Sequence, residues 1–483
     1  MAKGGKTNII QHFLTIGMGS ILNMVIGLIT TPILTRIVDP TELGQMSIVT
    51  TYSAIGSMVL CCGLDQALFR FFYEKDAIEY KRGLLRFCFS FSTVGALSSF
   101  IIVFVSMKLK VRFEFSAAIM FLLCVHITTT IWDRISSYVL RLDYKSRQYA
   151  MCNVMRRVVY LIFAIVPALI LKSHYLLILI IASILSVFIT FLYAVASSKE
   201  LWRFGQSERI ENKGEIVRFA LPLIVSMSLG TLFQAIDRMS INAFCTYADV
   251  GIYSSAQTII SVFAIIQTTF NAVWVPIQVE HYTKHPEDTT LFQKGNQYMT
   301  VVMFALGIAL IATKDIVVFL LGAKYRAAVT VVPFLAIEPI MLTISETTQA
   351  GIGYSKKSYL GIIITGASCL VNFLGNRLLI PMIGIRGAAI STGLSYIAFF
   401  ALRTAFSNRY LYVDYKIKRM LPLLFATLMF SFIGTFYSSV AGSIAGFFVC
   451  SAVLIVLYRN VIRQMYIDLI SQIKDMKLRR SES

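Results

Sequence analysis

Apolar runs of about 20 residues recur from one end of this chain to the other, the length that crosses a bilayer as a helix. In hydrocarbon every backbone amide must find its partner inside the protein, which leaves only helices and closed barrels. The runs are continuous rather than strictly alternating, so the barrel is excluded. Composition agrees: 57% of the 483 residues are hydrophobic, 14% are charged, and the mean hydropathy is +0.72. A soluble domain carries about a quarter charged residues, so a water-solvated globule is ruled out. The net charge of +19 does not point to nucleic acid. The basic residues lie in short segments between apolar runs, as the positive-inside rule requires.

The expected fold is all-α and integral to the membrane: about 14 transmembrane helices in two pseudo-symmetric six-helix bundles, plus two extra C-terminal helices. The spans are predicted at residues 9–35, 43–69, 84–107, 114–138, 149–171, 174–197, 216–242, 250–279, 296–313, 327–350, 359–380, 384–406, 420–437 and 440–458. The N-terminal bundle is then 1–197, a linker 198–215, the C-terminal bundle 216–406, the two added spans 407–458, and a basic amphipathic tail 459–483. An even span count puts both termini on one side. With that side cytoplasmic, roughly 30 Lys and Arg fall in inner segments and roughly 10 in outer ones. Loops near 75–82 and 203–213 are expected inside. Met1 to Thr7 is short and basic, and the apolar run after it is too long for a signal h-region, so the first span is expected to remain. The eight cysteines show no zinc or redox spacing and read as small buried hydrophobes. In the tail, Ile462, Met465, Leu469, Ile473 and Met476 mark an apolar face among Arg and Lys, which suits an anionic leaflet.

The two halves repeat. Glu42-Leu43-Gly44-Gln45-Met46-Ser47 resembles Asp249-Val250-Gly251-Ile252-Tyr253-Ser254 at an offset of about 207 residues. Ser47, Thr50, Ala54, Ser57 and Cys61 share a helical face, and so would Ser254, Gln257, Ser261, Ala264 and Thr268. An offset of six spans keeps orientation, so the repeats are parallel, an arrangement used by transporters that rock two bundles about a central site.

Enzyme motifs are absent: no P-loop, no dinucleotide fingerprint and no metal-binding helix motif. The informative residues are ionisable groups inside predicted spans, which are costly in hydrocarbon unless they meet a partner or a wet cavity. These are Asp65, Asp133, Arg134, Arg156, Arg157, Asp237, Arg238, Glu338 and Glu346. Polar faces run through His126, Thr130, Arg134 and Ser137, and through Ser226, Gly230, Gln234 and then Asp237 or Arg238, with Asn271 below the Gln257 stripe. Each has a plainer reading. Arg156 and Arg157 can snorkel, Asp65 can pair with Arg70, His126 can be a packed histidine rather than a proton relay, and Asp133 and Asp237 can neutralise arginines on neighbouring helices. A net-cationic cavity suits an anionic or hydroxyl-rich cargo, because Arg matches phosphate geometry. A cation exporter could instead use Asp65, Asp237, Glu338 and Glu346.

Several stretches resemble the polysaccharide-repeat-unit flippases of the MOP exporter superfamily. They are Pro32-Ile33-Leu34-Thr35-Arg36 with Glu42-Leu43-Gly44; Phe219-Ala220-Leu221-Pro222; Asp237-Arg238 with Val250-Gly251-Ile252-Tyr253-Ser254; Leu321-Gly322-Ala323-Lys324-Tyr325; and Ile380-Pro381-Met382-Ile383-Gly384-Ile385-Arg386-Gly387-Ala388-Ala389. Their order spans nearly the whole chain. The resemblance implies a flippase, not an enzyme, in the bacterial plasma membrane. Its cargo would be an undecaprenyl-pyrophosphate-linked oligosaccharide, moved with an Na+ or H+ gradient and no bound cofactor. Expected partners are membrane lipids, a polysaccharide polymerase and glycosyltransferases, with no nucleic acid; two bundles already enclose a path, so a monomer is expected. Cavity arginines map loosely onto Arg134 and Arg238, and Arg36 matches a motif position at the outer end of the first span. The candidate cargo-binding set is Arg134, Arg238, Asp237, Asp65, Gln234, Gln257, Asn271 and Arg36. The competing readings are a cation-coupled multidrug exporter of the same superfamily and a non-transporting scaffold.

Overall fold

A computed structural model describes residues 22, 25–109, 114–355, 357, 359–437 and 439–481; for residues 206, 225, 226, 469 and 472–481 it describes the backbone only. Among the described residues the regular structure is helical and no strand occurs. The helices are α1 (Val25–Ile37), α2 (Pro40–Leu60), α3 (Leu64–Phe71), α4 (Ile78–Lys108), α5 (Ala117–Leu142), α6 (Ser146–Leu171), α7 (Tyr175–Ser197), α8 (Lys213–Phe244) and α9 (Tyr247–Ile260). There follow α10 (Phe263–Lys284), α11 (Thr290–Ala312), α12 (Lys314–Phe319), α13 (Val332–Leu335), α14 (Ile337–Thr347), α15 (Ala350–Tyr354), α16 (Tyr359–Ile383), α17 (Ile385–Asn408), α18 (Ile417–Phe436) and α19 (Val440–Ser481). Ten of them are long and apolar enough to cross a membrane, or up to thirteen spans if each of three bent pairs is one. The protein is therefore a multi-pass membrane protein. The predicted first span begins outside the described residues, and so does the side-chain pattern of the tail beyond Ser471.

The chain divides into two compact units. The first holds the residues up to Thr258 together with Leu321–Tyr325, and the second holds Ile259–Leu320 and Arg326–Ser483. In the first, α5 is central: α2, α4, α6 and α7 all pack on it, and α8 packs on α2 and α3. Ile131, Ile135, Leu84 and Leu85 are fully buried there. One face of α4 and α6 is the reverse, with Val94, Ile101, Phe104 and Ile170 exposed, as lipid-facing side chains are. In the second, α16 and α17 form an antiparallel hairpin, α14 packs on α11 and α17, and α19 packs on α11 and α18. A kink at Tyr458 divides α19 where the predicted last span ends.

The structure differs from the predicted spans at three places. The predicted span 43–69 is broken between α2 and α3 by a 50° bend. Cys62 and Gly63 both take positive φ there, and a Cβ on Gly63 would lie 2.6 Å from the carbonyl oxygen of Ala220. The span 250–279 breaks between Ile260 and Phe263. Ser254 and Gln257 therefore lie on one helix, while Ala264 and Thr268 lie on another, and the single face drawn through Ser254–Thr268 does not exist. The span 327–350 is split as well, into a 3-10 stretch at Ala323–Thr330, then α13, α14 and the start of α15.

Two ends of the first unit gather different loops. At one, Glu208 N donates to Glu79 O (2.9 Å), Arg82 Nε donates to Glu200 O (2.8 Å), and Lys75 pairs with Glu208 (3.3 Å). The loops expected on the same side of the membrane thus pack together. At the other end Gly322 N donates to Thr35 Oγ1 (3.0 Å), Tyr325 Oη donates to Val38 O (2.9 Å), and Lys324 pairs with Asp39.

Candidate functional site

The repeated segments meet each other inside the first unit. Ser47 Oγ and Ser254 Oγ lie 2.7 Å apart, 207 residues apart in sequence. A Cβ on Gly44 would sit 1.8 Å from the carbonyl oxygen of Tyr247, and one on Gly251 would sit 2.1 Å from that of Pro40. Pro40 and Tyr247 are related by the same offset as Gly44 and Gly251, so the contact is reciprocal, as residues beside a two-fold axis must be. Only glycine lets two helix backbones approach this closely. The helix starts repeat too. Thr246 and Asp249 cap one another at the start of α9 (Asp249 N to Thr246 Oγ1 3.3 Å, Thr246 N to Asp249 Oδ2 3.1 Å). Asp39 and Glu42 hold the matching positions in α2, where Asp39 instead takes Lys324.

The charged candidates of the first unit are paired. Asp133 and Arg134 are adjacent on α5 and so point about 100° apart. Asp133 accepts from Arg156 Nη2 (2.5 Å) on α6 and from Thr190 Oγ1 (2.8 Å) on α7. Arg134 turns the other way and donates Nε to Asp65 Oδ2 (2.8 Å) on α3. The alternative partner for Asp65, Arg70, is exposed and sits over the Phe71 ring. Gln66 Nε2 bridges Asp65 (3.2 Å) and Tyr138 Oη (2.6 Å). Asp65 is 2% exposed at its side chain and Arg134 25%, so the guanidinium is the part of the pair that reaches outward. Arg156 does not snorkel: its charge is spent on Asp133. His126 is bracketed by Ser53 Oγ (2.6 Å) and Ser183 Oγ (2.7 Å), the geometry of a packed histidine.

Asp237 and Arg238 diverge in the same way on α8. Buried Asp237 accepts from Tyr253 Oη (2.8 Å), whereas half-buried Arg238 lies 3.5 Å from Thr51 Oγ1 through Nη1. Gln234 is exposed, one turn before Arg238, and open space surrounds Gly230 one turn before that. It is therefore Arg238, not Asp237, that continues the polar stripe; the side chain of Ser226 lies outside the described residues. Gln257 is half-buried on α9, and Arg36 is exposed at the end of α1. Asn271 is on α10, in the second unit.

Sequence reasoning missed Arg403. It donates to Glu346 Oε1 (3.0 Å) and Ser345 Oγ (3.0 Å) and also bonds Gln349. It lies near the end of the predicted span 384–406, and nothing local in the sequence reveals a partner on α14. Among the described residues no group of three or more His, Cys, Asp or Glu could hold a metal ion, and all eight cysteines are free thiols.

The chain is a multi-pass helical bundle with a reciprocal contact between its repeated segments and paired charges in its interior. The family described as polysaccharide biosynthesis protein matches residues 9–281. That is more than half of the chain, and the chain belongs to this family. Among solved structures, lipid II flippase MurJ in an inward closed conformation is similar, with a TM-score of 0.71 at 14% identity over 95% of this chain and 100% of that one. An inward-facing multidrug resistance MATE family transporter of the MOP superfamily gives 0.59 at 15% identity over 82% and 97%. A MATE transporter of Vibrio cholerae gives 0.55 at 13% over 83% and 97%. No curated protein sequence matches. The fold is the one seen in these MurJ and MATE structures.

Proposed function

We propose that this protein is a flippase that carries an undecaprenyl-pyrophosphate-linked oligosaccharide unit from the cytoplasmic to the outer leaflet by alternating access, for surface polysaccharide assembly. Membership of the polysaccharide biosynthesis family supports the class of cargo. The observation that carries the reading is the state of the carboxylates. Of the acids a cation exporter could use, Asp65, Asp237 and Glu346 are each engaged by a donor from the protein itself, respectively Arg134, Tyr253 and Arg403. A drug exporter that captures cations needs an acid to offer them. Arg134 is a quarter exposed and Arg238 is half-buried, and cations at these positions favour an anionic cargo such as pyrophosphate. On this reading both termini are cytoplasmic in the bacterial plasma membrane, an Na+ or H+ gradient supplies energy, and the protein works as a monomer beside the polymerase and glycosyltransferases.

Arg238 gives the test. Arg238→Lys replaces a planar fork by a point charge, so surface glycan should fall at least about ten-fold while membrane protein stays at its normal level. Normal glycan with Arg238→Lys removes Arg238 from the cargo site. His126, by contrast, is expected to act only in packing. His126→Asn should lower protein level modestly and leave the pH dependence of glycan output unchanged; a displaced pH profile would restore the proton-relay reading.

A further inference from the structure

One face of α10 carries polar atoms that the protein itself does not satisfy. Asn271, Trp274 and Gln278 stand at spacings of three and four and so share that face. Among the described residues, Asn271 Oδ1, Trp274 Nε1 and Gln278 Oε1 are buried without a hydrogen-bond partner, and so is Tyr415 Oη. Trp274 is 6% exposed, Gln278 6% and Tyr415 4%. Trp274 and Tyr415 belong to one cluster with Phe292, Ala350 and Val413, entirely within the second unit. Phe270 stacks on Trp274 (5.5 Å), and Tyr282 stacks on Tyr354 (3.7 Å) at the edge of the same cluster. Buried polar atoms are nearly always paired, and each orphan costs about 1–3 kcal/mol. Trp274 and Tyr415 share one cluster, and Asn271 and Gln278 flank Trp274 on its helix face, so the four gather in one place.

The chemistry of the four atoms is specific. Two amide oxygens accept, an indole N–H donates, and a phenol does both, among flat aromatic faces. None carries charge. That combination suits a sugar, whose hydroxyls both donate and accept and whose apolar ring face packs on an aromatic ring. Pro276 lies in the middle of this helix. It removes the amide that would bond the carbonyl of Ala272, so α10 can bend without breaking a hydrogen bond. We infer that the Asn271/Trp274/Gln278 face of α10, with Tyr415, is a glycan-recognition surface, closed over in this conformation and opened to the cargo's sugars when α10 bends. This rests on the flippase reading above and assigns it a sugar subsite distinct from the arginines of the first unit.

The test exploits the orphaned atoms. Trp274→Phe keeps an aromatic ring and removes the N–H, and Gln278→Met keeps the length of the side chain and removes the amide. If the atoms await a ligand, both variants should melt at the same or a higher temperature in detergent, because no hydrogen bond is lost. Surface glycan in a strain lacking the native copy should fall at least about five-fold with each. Unchanged glycan would overturn the inference. So would a melting temperature lowered by several degrees, since that would mean that buried water or a protein partner satisfies these atoms. The wild-type chain in the same strain separates the two readings: if it fails to restore glycan, the flippase reading falls, whereas wild-type rescue with fully active variants removes only the sugar subsite.

Discussion

Gly44→Val should abolish transport while leaving the protein in the membrane. The Cβ added at Gly44 would stand 1.8 Å from the carbonyl oxygen of Tyr247, far inside contact distance, and two further methyls follow it. No rotamer relieves an overlap with backbone, so α2 and α9 must separate at this end. Overpacking of this kind costs about 1–3 kcal/mol and at times more. At 1.4 kcal/mol per factor of ten, the closed arrangement would lose up to about a hundred-fold in population. Gly251→Val should do the same through Pro40, and the two together should cost less than their sum, because the first substitution already parts the helices. The reporter is Ser47, whose hydroxyl now contacts Ser254. A Ser47→Cys thiol should resist a membrane-impermeant maleimide added outside cells in the otherwise native chain and react readily once Gly44→Val is added. Equal protection in both backgrounds, with transport intact, would show that this contact is not a moving part.

That contact was legible in the sequence because glycine leaves a mark where backbones touch. Glu42-Leu43-Gly44 and Asp249-Val250-Gly251 announced a repeat, and the two segments meet reciprocally. The partners of the charged groups were not legible. Sequence proximity offers Arg70 as the partner of Asp65. The positive φ at Cys62 and Gly63 turns α3 by 50°, and that turn accompanies the pairing of Asp65 with Arg134, 69 residues later. Periodicity within one helix carries no information about such a turn, and two residues with φ above zero are recognised only when both are glycine or asparagine. The α9–α10 break escaped for a similar reason, since Ser261 and Val262 are unremarkable in an apolar run. Asn271 stood out as polar within a span. Trp274 and Tyr415 did not, because an indole or a phenol in a membrane protein reads as an interfacial anchor until its polar atom is seen to be buried.

Two arginines of similar appearance in the sequence thus acquire different roles, and the difference is measurable. Arg156 is held by Asp133, itself bonded to Thr190, so the trio ties α5 to both α6 and α7. Asp133→Leu leaves the guanidinium facing an apolar wall. Removing one partner of a buried pair costs about 3–5 kcal/mol; Arg156 is a third exposed, so about 2–4 kcal/mol is expected here. That is enough to deplete folded protein in the membrane several-fold. Arg156→Met in the same chain removes the stranded charge, and apolar replacement of both members is commonly neutral. The double variant should therefore recover most of the protein level and most of the transport, with a coupling of about 2 kcal/mol or more across the cycle. The parallel cycle on Asp65 and Arg134 should part company at the last step: Asp65→Leu with Arg134→Met should recover protein but not transport, because the guanidinium that reaches outward is gone. Recovery of transport in both double variants would make Arg134 another packing arginine and leave Arg238 as the cationic contact to cargo in the first unit.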